Sequence, residues 1–179
     1  MPSNLLGPLI TSKTRLKLLL RFFLNQNLSG YLQGLSKELD ENTNSVRVEL
    51  NRLEEAGLIS AEEQGRRKVY SVNTAHPLTT DLSNMLRKVT GIDALVDRVV
   101  SRIGDTLEQV WITGALAMGM NSEKLEVTLV GKALDIDYLD ELMSKVETLI
   151  EKTITWQVSS SHKEIDPETA LLVWQKMEE

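Results

Sequence analysis

Residues 42–72, NTNSVRVELNRLEEAGLISAEEQGRRKVYSV, constrain the fold of this chain more than any other stretch. Val46, Leu50, Leu53 and Ala56 recur at steps of three and four, the spacing of one buried helix face. Asn42 or Thr43 can cap the start, since either side chain can accept a bond from an unpaired backbone N–H of the first turn. Gly57 suits the end, because glycine enters the left-handed conformation of a helix C-terminus without steric cost. Leu58-Ile59, a polar tip from Glu62 to Arg67, and the alternating Lys68-Val69-Tyr70-Ser71-Val72 then predict a hairpin with glycine at its turn.

Upstream, Ser12 precedes KTRLKLLLRFFLN, a helical run with Leu16, Leu19, Leu20 and Phe23 on one side and Lys13, Arg15, Lys17 and Arg21 mainly on the other. Residues 25–30 break it, residues 31–39 predict a second helix through Leu32, Leu35 and Leu39, and Asp40-Glu41 turn into the capped helix. Three helices, the last two joined tightly, followed by a hairpin, give the order of a winged helix-turn-helix. Residues 78–89 form a further helix carrying Leu78, Leu82, Met85, Leu86 and Val89. One helix cannot bury that stripe alone, so it packs on the winged helix, on the following domain or on its mate in a dimer, and a homodimer built largely by this helix, with the N-terminal helix, is expected.

Charge divides the chain. Residues 1–90 hold 12 Lys/Arg against 9 Asp/Glu, a balance of +3, whereas residues 91–179 hold 8 against 17, a balance of −9. The first part can face a polyanion and the second has a different partner. There is no cysteine, which excludes a disulfide framework and a thiolate metal site, and two histidines do not make a histidine-rich one. The N-terminus lacks the pattern of a signal peptide, and LKLLLRFFL is too short and too charged to span a bilayer. A cytoplasmic protein without a membrane segment is expected.

On the capped helix, Asn44, Ser45, Arg47, Val48 and Asn51 lie off the apolar stripe. Arginine pairs bidentately with guanine, asparagine with adenine, and serine with base or backbone. Arg66, Arg67 and Lys68 at the hairpin tip supply cations from a separate element. SKTRLKLLL, LSKELDENTNSVRVELNRLEEAGLI and GRRKVYSVN together resemble the ArsR/MarR-like winged-helix transcription regulators over about 70 residues. The resemblance implies double-stranded DNA as partner, a homodimer, and Thr43, Asn44, Ser45, Arg47, Val48, Asn51, Arg66, Arg67 and Lys68 as the DNA-binding set.

After Thr90-Gly91, taken as the boundary between domains 1–90 and 91–179, the pattern changes. Residues 92–103 predict a helix, 107–113 a strand, 124–130 a second strand, 135–152 a long amphipathic helix, 153–159 a third strand, and 170–175 a last strand or a short helix, with Val173 and Trp174 favouring strand. Trp111, Trp156 and Trp174 fall on these strands and are expected in the core. Helices alternating with mixed strands give a small α/β domain, and the whole chain is α+β.

The segment VWITGALAMGMNSEKLEVTLVG resembles the core of minimal nucleotidyltransferases of the polymerase-beta superfamily. Gly114, Ala117 and Gly119 match the family's loop, and residues 127–131 match its strand end. That family's chemistry needs two metals gripped by carboxylates on one strand face. The aspartate positions fall at Lys124 and Glu126, and the loop serine at Ala115, so a ligand and a hydroxyl are missing. The domain is therefore expected to be a non-catalytic pseudoenzyme with no cofactor and no metal. Gly114, Ala115, Gly119, Lys124 and Glu126 either serve packing or keep a loop for a nucleotide or sugar-nucleotide ligand. An active nucleotidyltransferase, opposed by Lys124, and a toxin–antitoxin module with an acidic, partner-neutralising half are the alternatives.

Overall fold

The computed structural model describes residues 8–177. The chain is mixed α+β, with two separate sheets. By their internal contacts the described residues divide into a first unit, 8–86 with Gly119–Asn121, and a second, 87–118 with 122–177.

In the first unit, helix α1 (Lys13–Leu19) begins where the Ser12 hydroxyl accepts from the amide of Arg15, and runs into a π-helical turn, Leu20–Leu24. Leu18 and Phe22 are fully buried as well as Phe23, while Leu16 is only half-buried, so the buried side is not only the one the sequence spacing predicts. Arg21, expected on the solvent side, is itself buried. Its Nε and Nη2 donate to Glu38 at 3.3 and 3.2 Å, and Nη2 also to the carbonyl of Ser29 at 3.3 Å. A buried guanidinium is tolerable only with such partners.

Residues 29–31 form a short strand, β1 (Ser29–Tyr31), where the sequence suggested that the helix begins at Tyr31. Helix α2 (Leu32–Glu38) follows, then α3 (Thr43–Glu55). Asn42 caps α3, its side chain accepting from Asn44 N at 2.8 Å, and Thr43 is the first helical residue. At the far end Gly57, with φ of +72°, donates to the carbonyl of Glu54, and Leu58 donates to that of Leu53. These two bonds satisfy carbonyls that the helix leaves unpaired, the Schellman arrangement. The hairpin β2 (Ile59–Gln64) and β3 (Arg67–Val72) turns through Gly65-Arg66, with Gly65 at φ +63°. Glycine at the first turn position matches the strand twist of a two-residue hairpin. With β1 paired to β3, the sheet order is β1-β3-β2. Leu35, Val46, Leu50, Ile59 and Tyr70 join Leu18 and Phe22 in the core of this winged helix-turn-helix.

Helix α4 (Thr79–Thr90) leads to α5 (Ile92–Ile103) through Gly91. In the second unit β4 (Leu107–Thr113) is followed by the four-residue helix α6 (Gly114–Ala117) and β5 (Lys124–Gly131). Helix α7 (Ile136–Ile150), capped by Asp135, crosses to β6 (Thr153–Ser159), and β7 (Leu171–Gln175) ends the described chain's regular structure. The sheet order is β6-β5-β4-β7, with β5 and β6 parallel and the other pairs antiparallel. One sheet face carries Leu125, Val127 and Leu129, all fully buried, and α5 and α7 pack on the sheet and each other. The opposite face carries Trp111 and Val130, which Ala170 and Ile165 cover. Trp156 and Trp174 are half-buried on strands at the two edges.

Candidate nucleic-acid interface

The apolar stripe of α3 fixes which residues the helix turns outward. Val46, Leu50 and Leu53 are buried, whereas Ala56, expected in the same stripe, is exposed at the helix end; Asn44, Ser45, Arg47, Val48 and Asn51 are all exposed, and Thr43 is half-buried at the first turn. Arg47 Nη1 donates to Asn44 Oδ1 at 3.0 Å, which holds the guanidinium against the helix and leaves the Asn44 amide nitrogen free to donate. Val48, 47% exposed, is an apolar residue on a polar face, the type that meets a thymine methyl.

Glu49 on the same helix points the other way. It is 5% exposed and accepts from Arg15 Nε at 2.8 Å and Arg52 Nη1 at 3.1 Å, tying α3 to α1. Burial pushes its carboxyl up, but the bonds from Arg15 and Ser12 and the charge of Arg52 outweigh this and hold it below the ordinary value. Glu41, in the turn between α2 and α3, is likewise held low, chiefly by Lys17 at 2.6 Å, with Thr14 adding a bond.

The hairpin tip divides its three cations. Lys68 is drawn back to Glu54 on α3, Nζ to Oε2 at 2.7 Å, and that bond raises the lysine's pKa. Arg67 lies over the ring of Tyr31, 4.6 Å from its centroid, a cation–π contact that steadies the guanidinium without neutralising it. Arg66 is exposed and in no ion pair among the described residues. A cleft of about 420 Å³ opens beside the tip, lined by Tyr31, Gln33, Arg66, Arg67, Lys68 and Tyr70. Tyr31 and Gln33 were not read from the sequence as part of this surface. Their place beside the hairpin comes from the pairing of β1 with β3, which no local pattern announces.

The residues of the glycine loop converge less. Gly114, at φ +66°, lies directly under Glu126: a Cβ there would sit 2.2 Å from Oε1. Ala115 is half-buried in α6, and Gly119 is counted with the first unit rather than with Gly114. Lys124, Glu126 and Thr128 alternate along one face of β5, and the parallel register sets Thr153, Thr155 and Gln157 beside them. A cavity of about 520 Å³ on this face is lined by Thr113, Gly114, Thr128, Gln157, Glu164 and Asp166, among others. Gln157 Nε2 donates to the buried Thr128 at 3.0 Å. A lysine, a glutamate and a threonine where two-metal chemistry needs carboxylates do not fit a metal–nucleotide complex. No group of three His, Cys, Asp or Glu that could hold a metal occurs among the described residues.

No family model and no curated protein matches this chain. Among solved structures it is similar to reduced HlyU from Vibrio cholerae N16961, at 16% identity over 49% of this chain and 87% of that one, with a TM-score of 0.38. A structure described as a toxin-antitoxin with AMP-PNP is similar at 12% identity over 47% of this chain and 73% of its own, TM-score 0.39. A structure from Shewanella oneidensis matches at 14% over 48% and 71%, TM-score 0.37. No helix among the described residues is long and apolar enough to cross a membrane.

Proposed function

We propose that the chain is a DNA-binding transcriptional regulator that docks α3 in the major groove and the β2–β3 tip on the flanking backbone. The observation that carries this reading is where charge is left over. Arg15, Lys17, Arg21, Arg52 and Lys68 are matched to Glu49, Glu41, Glu38 and Glu54, whereas Lys13 and Lys37, and the three arginines Arg47, Arg66 and Arg67, are in no ion pair among the described residues. The three arginines stand on the exposed face of α3 and at the hairpin tip, two elements that a winged helix applies to one duplex. A single such domain reads one half-site, so the reading includes a second copy of the chain. Selection of binding sites from random duplex DNA tests it: an enriched inverted repeat is expected, and the absence of both an enriched motif and salt-dependent duplex binding overturns it.

The second unit is, in this reading, a nucleotidyltransferase-like domain that does not transfer nucleotides and serves sensing, pairing or partner docking. Lys124 removes a metal ligand and adds a fixed positive charge, while its ammonium could contact a bare phosphate. Incubation with labelled nucleoside triphosphates and magnesium or manganese is expected to give no transfer. Steady labelling that vanishes in Glu126→Gln would overturn the non-catalytic reading, and binding without turnover, weakened by Lys124→Ala, would mark a sensing pocket.

A further inference from the structure

The two edges of the second unit's sheet are finished differently. Edge β7 is five residues long, its register with β4 shifts between Val110 and Trp111, and Arg87 Nη2 donates to the carbonyl of Val173 at 3.2 Å. A short strand, a bulge and a covering cation are the devices by which proteins close an edge to further pairing. Edge β6 is seven residues, TITWQVS, without a charge, a proline or a break in its register with β5.

The hydrogen-bonding pattern of β6 can be read from one bond. Thr153 donates to the carbonyl of Glu123, so in the parallel ladder Thr153, Thr155, Gln157 and Ser159 direct their backbone groups at β5. Ile154, Trp156 and Val158 therefore direct theirs outward. The amide of Ile154 is taken by Glu147 of α7. Those of Trp156 and Val158 face the open side.

The chemistry of the strand is nearly symmetric about Trp156. Ile154 mirrors Val158, Thr155 mirrors Gln157, and Thr153 mirrors Ser159. We infer that β6 pairs with β6 of a second copy of this chain, antiparallel about a two-fold axis at Trp156, joining two four-stranded sheets into one. In that register Trp156 stands opposite Trp156, Ile154 opposite Val158, and uncharged polar residues face each other on the other side. No like charges meet, the outward amides of Trp156 and Val158 meet outward carbonyls while that of Ile154 stays on Glu147, and the half-buried indoles form a cross-strand aromatic pair. This gives the second copy of the proposed regulator a surface, and the test is built to fail separately from DNA binding.

The chain has no cysteine, so pairing can be read by introduced thiols. Thr155 and Gln157 of opposite copies would form a non-hydrogen-bonded pair, whose Cα atoms lie about 4.5 Å apart, within disulfide reach. Thr155→Cys chains mixed with size-tagged Gln157→Cys chains are expected to cross-link on mild oxidation, and either variant alone is not. Failure of the mixture, or equal cross-linking of each variant by itself, overturns the register. Sedimentation should show the unaltered chain as a dimer at micromolar concentration and Val158→Pro as a monomer with unchanged circular dichroism. That proline removes an outward amide and no bond to β5. A monomeric unaltered chain, or a folded Val158→Pro dimer, overturns the proposal. A cross-linked dimer that ignores duplex DNA refutes only the regulator reading, and duplex binding by a monomer refutes only the sheet pairing.

Discussion

The outer face of α3 and the loop around Gly114 both present backbone and side chains suited to phosphate, yet the fold treats their charge in opposite ways. In the first unit two acids of α3 are engaged by cations, Glu49 at 7% side-chain exposure between Arg15 and Arg52 and Glu54 by Lys68, while Glu62 and Glu63 on β2 stay exposed. Arg47, Arg66 and Arg67, together with Lys13 and Lys37, are in no ion pair among the described residues and face solvent. In the second unit the acid sits on the cradle itself, with the Glu126 carboxylate over Gly114 where an anion would have to approach. Glu164 and Asp166 line the cavity beside it. Two loops of similar promise in sequence thus differ because tertiary neighbours decide where negative charge goes. At the second, an anion approaching Gly114 meets the Glu126 carboxylate first.

The strongest test of this contrast removes the free cations. Arg47→Ala is expected to weaken specific duplex binding by about 1–3 kcal/mol and relax base preference, if its fork reads a base edge. Arg67→Ala should weaken binding to every sequence alike and reduce the slope of affinity against salt by about 1. The double variant should show the largest loss, measured by fluorescence anisotropy across a salt series. Lys68→Ala should matter far less, since Glu54 already neutralises that ammonium. A double variant that binds as the parent does would remove α3 and the hairpin from the interface.

Glycine substitutions sharpen the other half of the comparison. Gly65 and Gly114 have nearly the same φ, +63° and +66°, but Gly65 faces open space and Gly114 lies under Glu126. Alanine at Gly65 should cost roughly 1–2 kcal/mol, the price of a left-handed conformation alone. Alanine at Gly114 should cost that and about 1 kcal/mol more, because the carboxylate must swing to another rotamer. Chemical denaturation of both variants, repeated in a Glu126→Ala background, gives the difference. Equal costs in the parent background would mean that Glu126 is not seated over the loop.

The elements that local chemistry announces are the ones sequence could place. The α3 stripe, its Asn42 cap and the Gly57 terminus made that helix legible, and the periodicities of residues 92–103 and 153–159 matched α5 and β6 in full. What escaped depends on partners distant in the chain. Strand β1 is three residues with no alternation to read, and exists through its bonds to β3. Arg21 looked solvent-facing because its charge says so, until Glu38 and the Ser29 carbonyl are placed around it. Lys68 looked free until Glu54, on another element, claimed it. The stripe of α4 needs a partner that the sequence does not single out, and Leu86 is fully buried, Leu82, Met85 and Val89 are half-buried, and of the five only Leu78, at 53%, is well exposed. Nor does composition reveal a sheet edge: β6 was readable as a strand, but its place at the edge follows only from the topology.

The smallest expected effect concerns pH, and it again separates the two units. Glu49 and Glu41 are held below their ordinary value near 4.5, Glu49 by Arg15 and Ser12 against the upward push of burial, and Glu41 chiefly by Lys17. A carboxylate depressed on folding contributes stability that is fully present above its unfolded pKa and is lost as pH falls through its folded one. The first unit should therefore loosen below about pH 4.5, as the links from α3 and its preceding turn to α1 are protonated. In the second unit a buried lysine responds at the other end of the scale. Burial pulls Lys152 below its ordinary 10.5, against a smaller upward pull from Glu123, while its ammonium donates to the Ser122 carbonyl. The unfolded chain holds that proton more tightly, so the contribution of Lys152 becomes more favourable as pH rises toward 10.5. Near-ultraviolet circular dichroism, in which all three tryptophans, Trp111, Trp156 and Trp174, report the second unit, can be set against far-ultraviolet signal during acid titration. Helical signal should fall before the tryptophan signal does, and Glu49→Gln should flatten the acid limb while lowering stability at neutral pH. Coincident loss of both signals, unaltered by Glu49→Gln, would show that the Arg15–Glu49–Arg52 link does not govern the acid response.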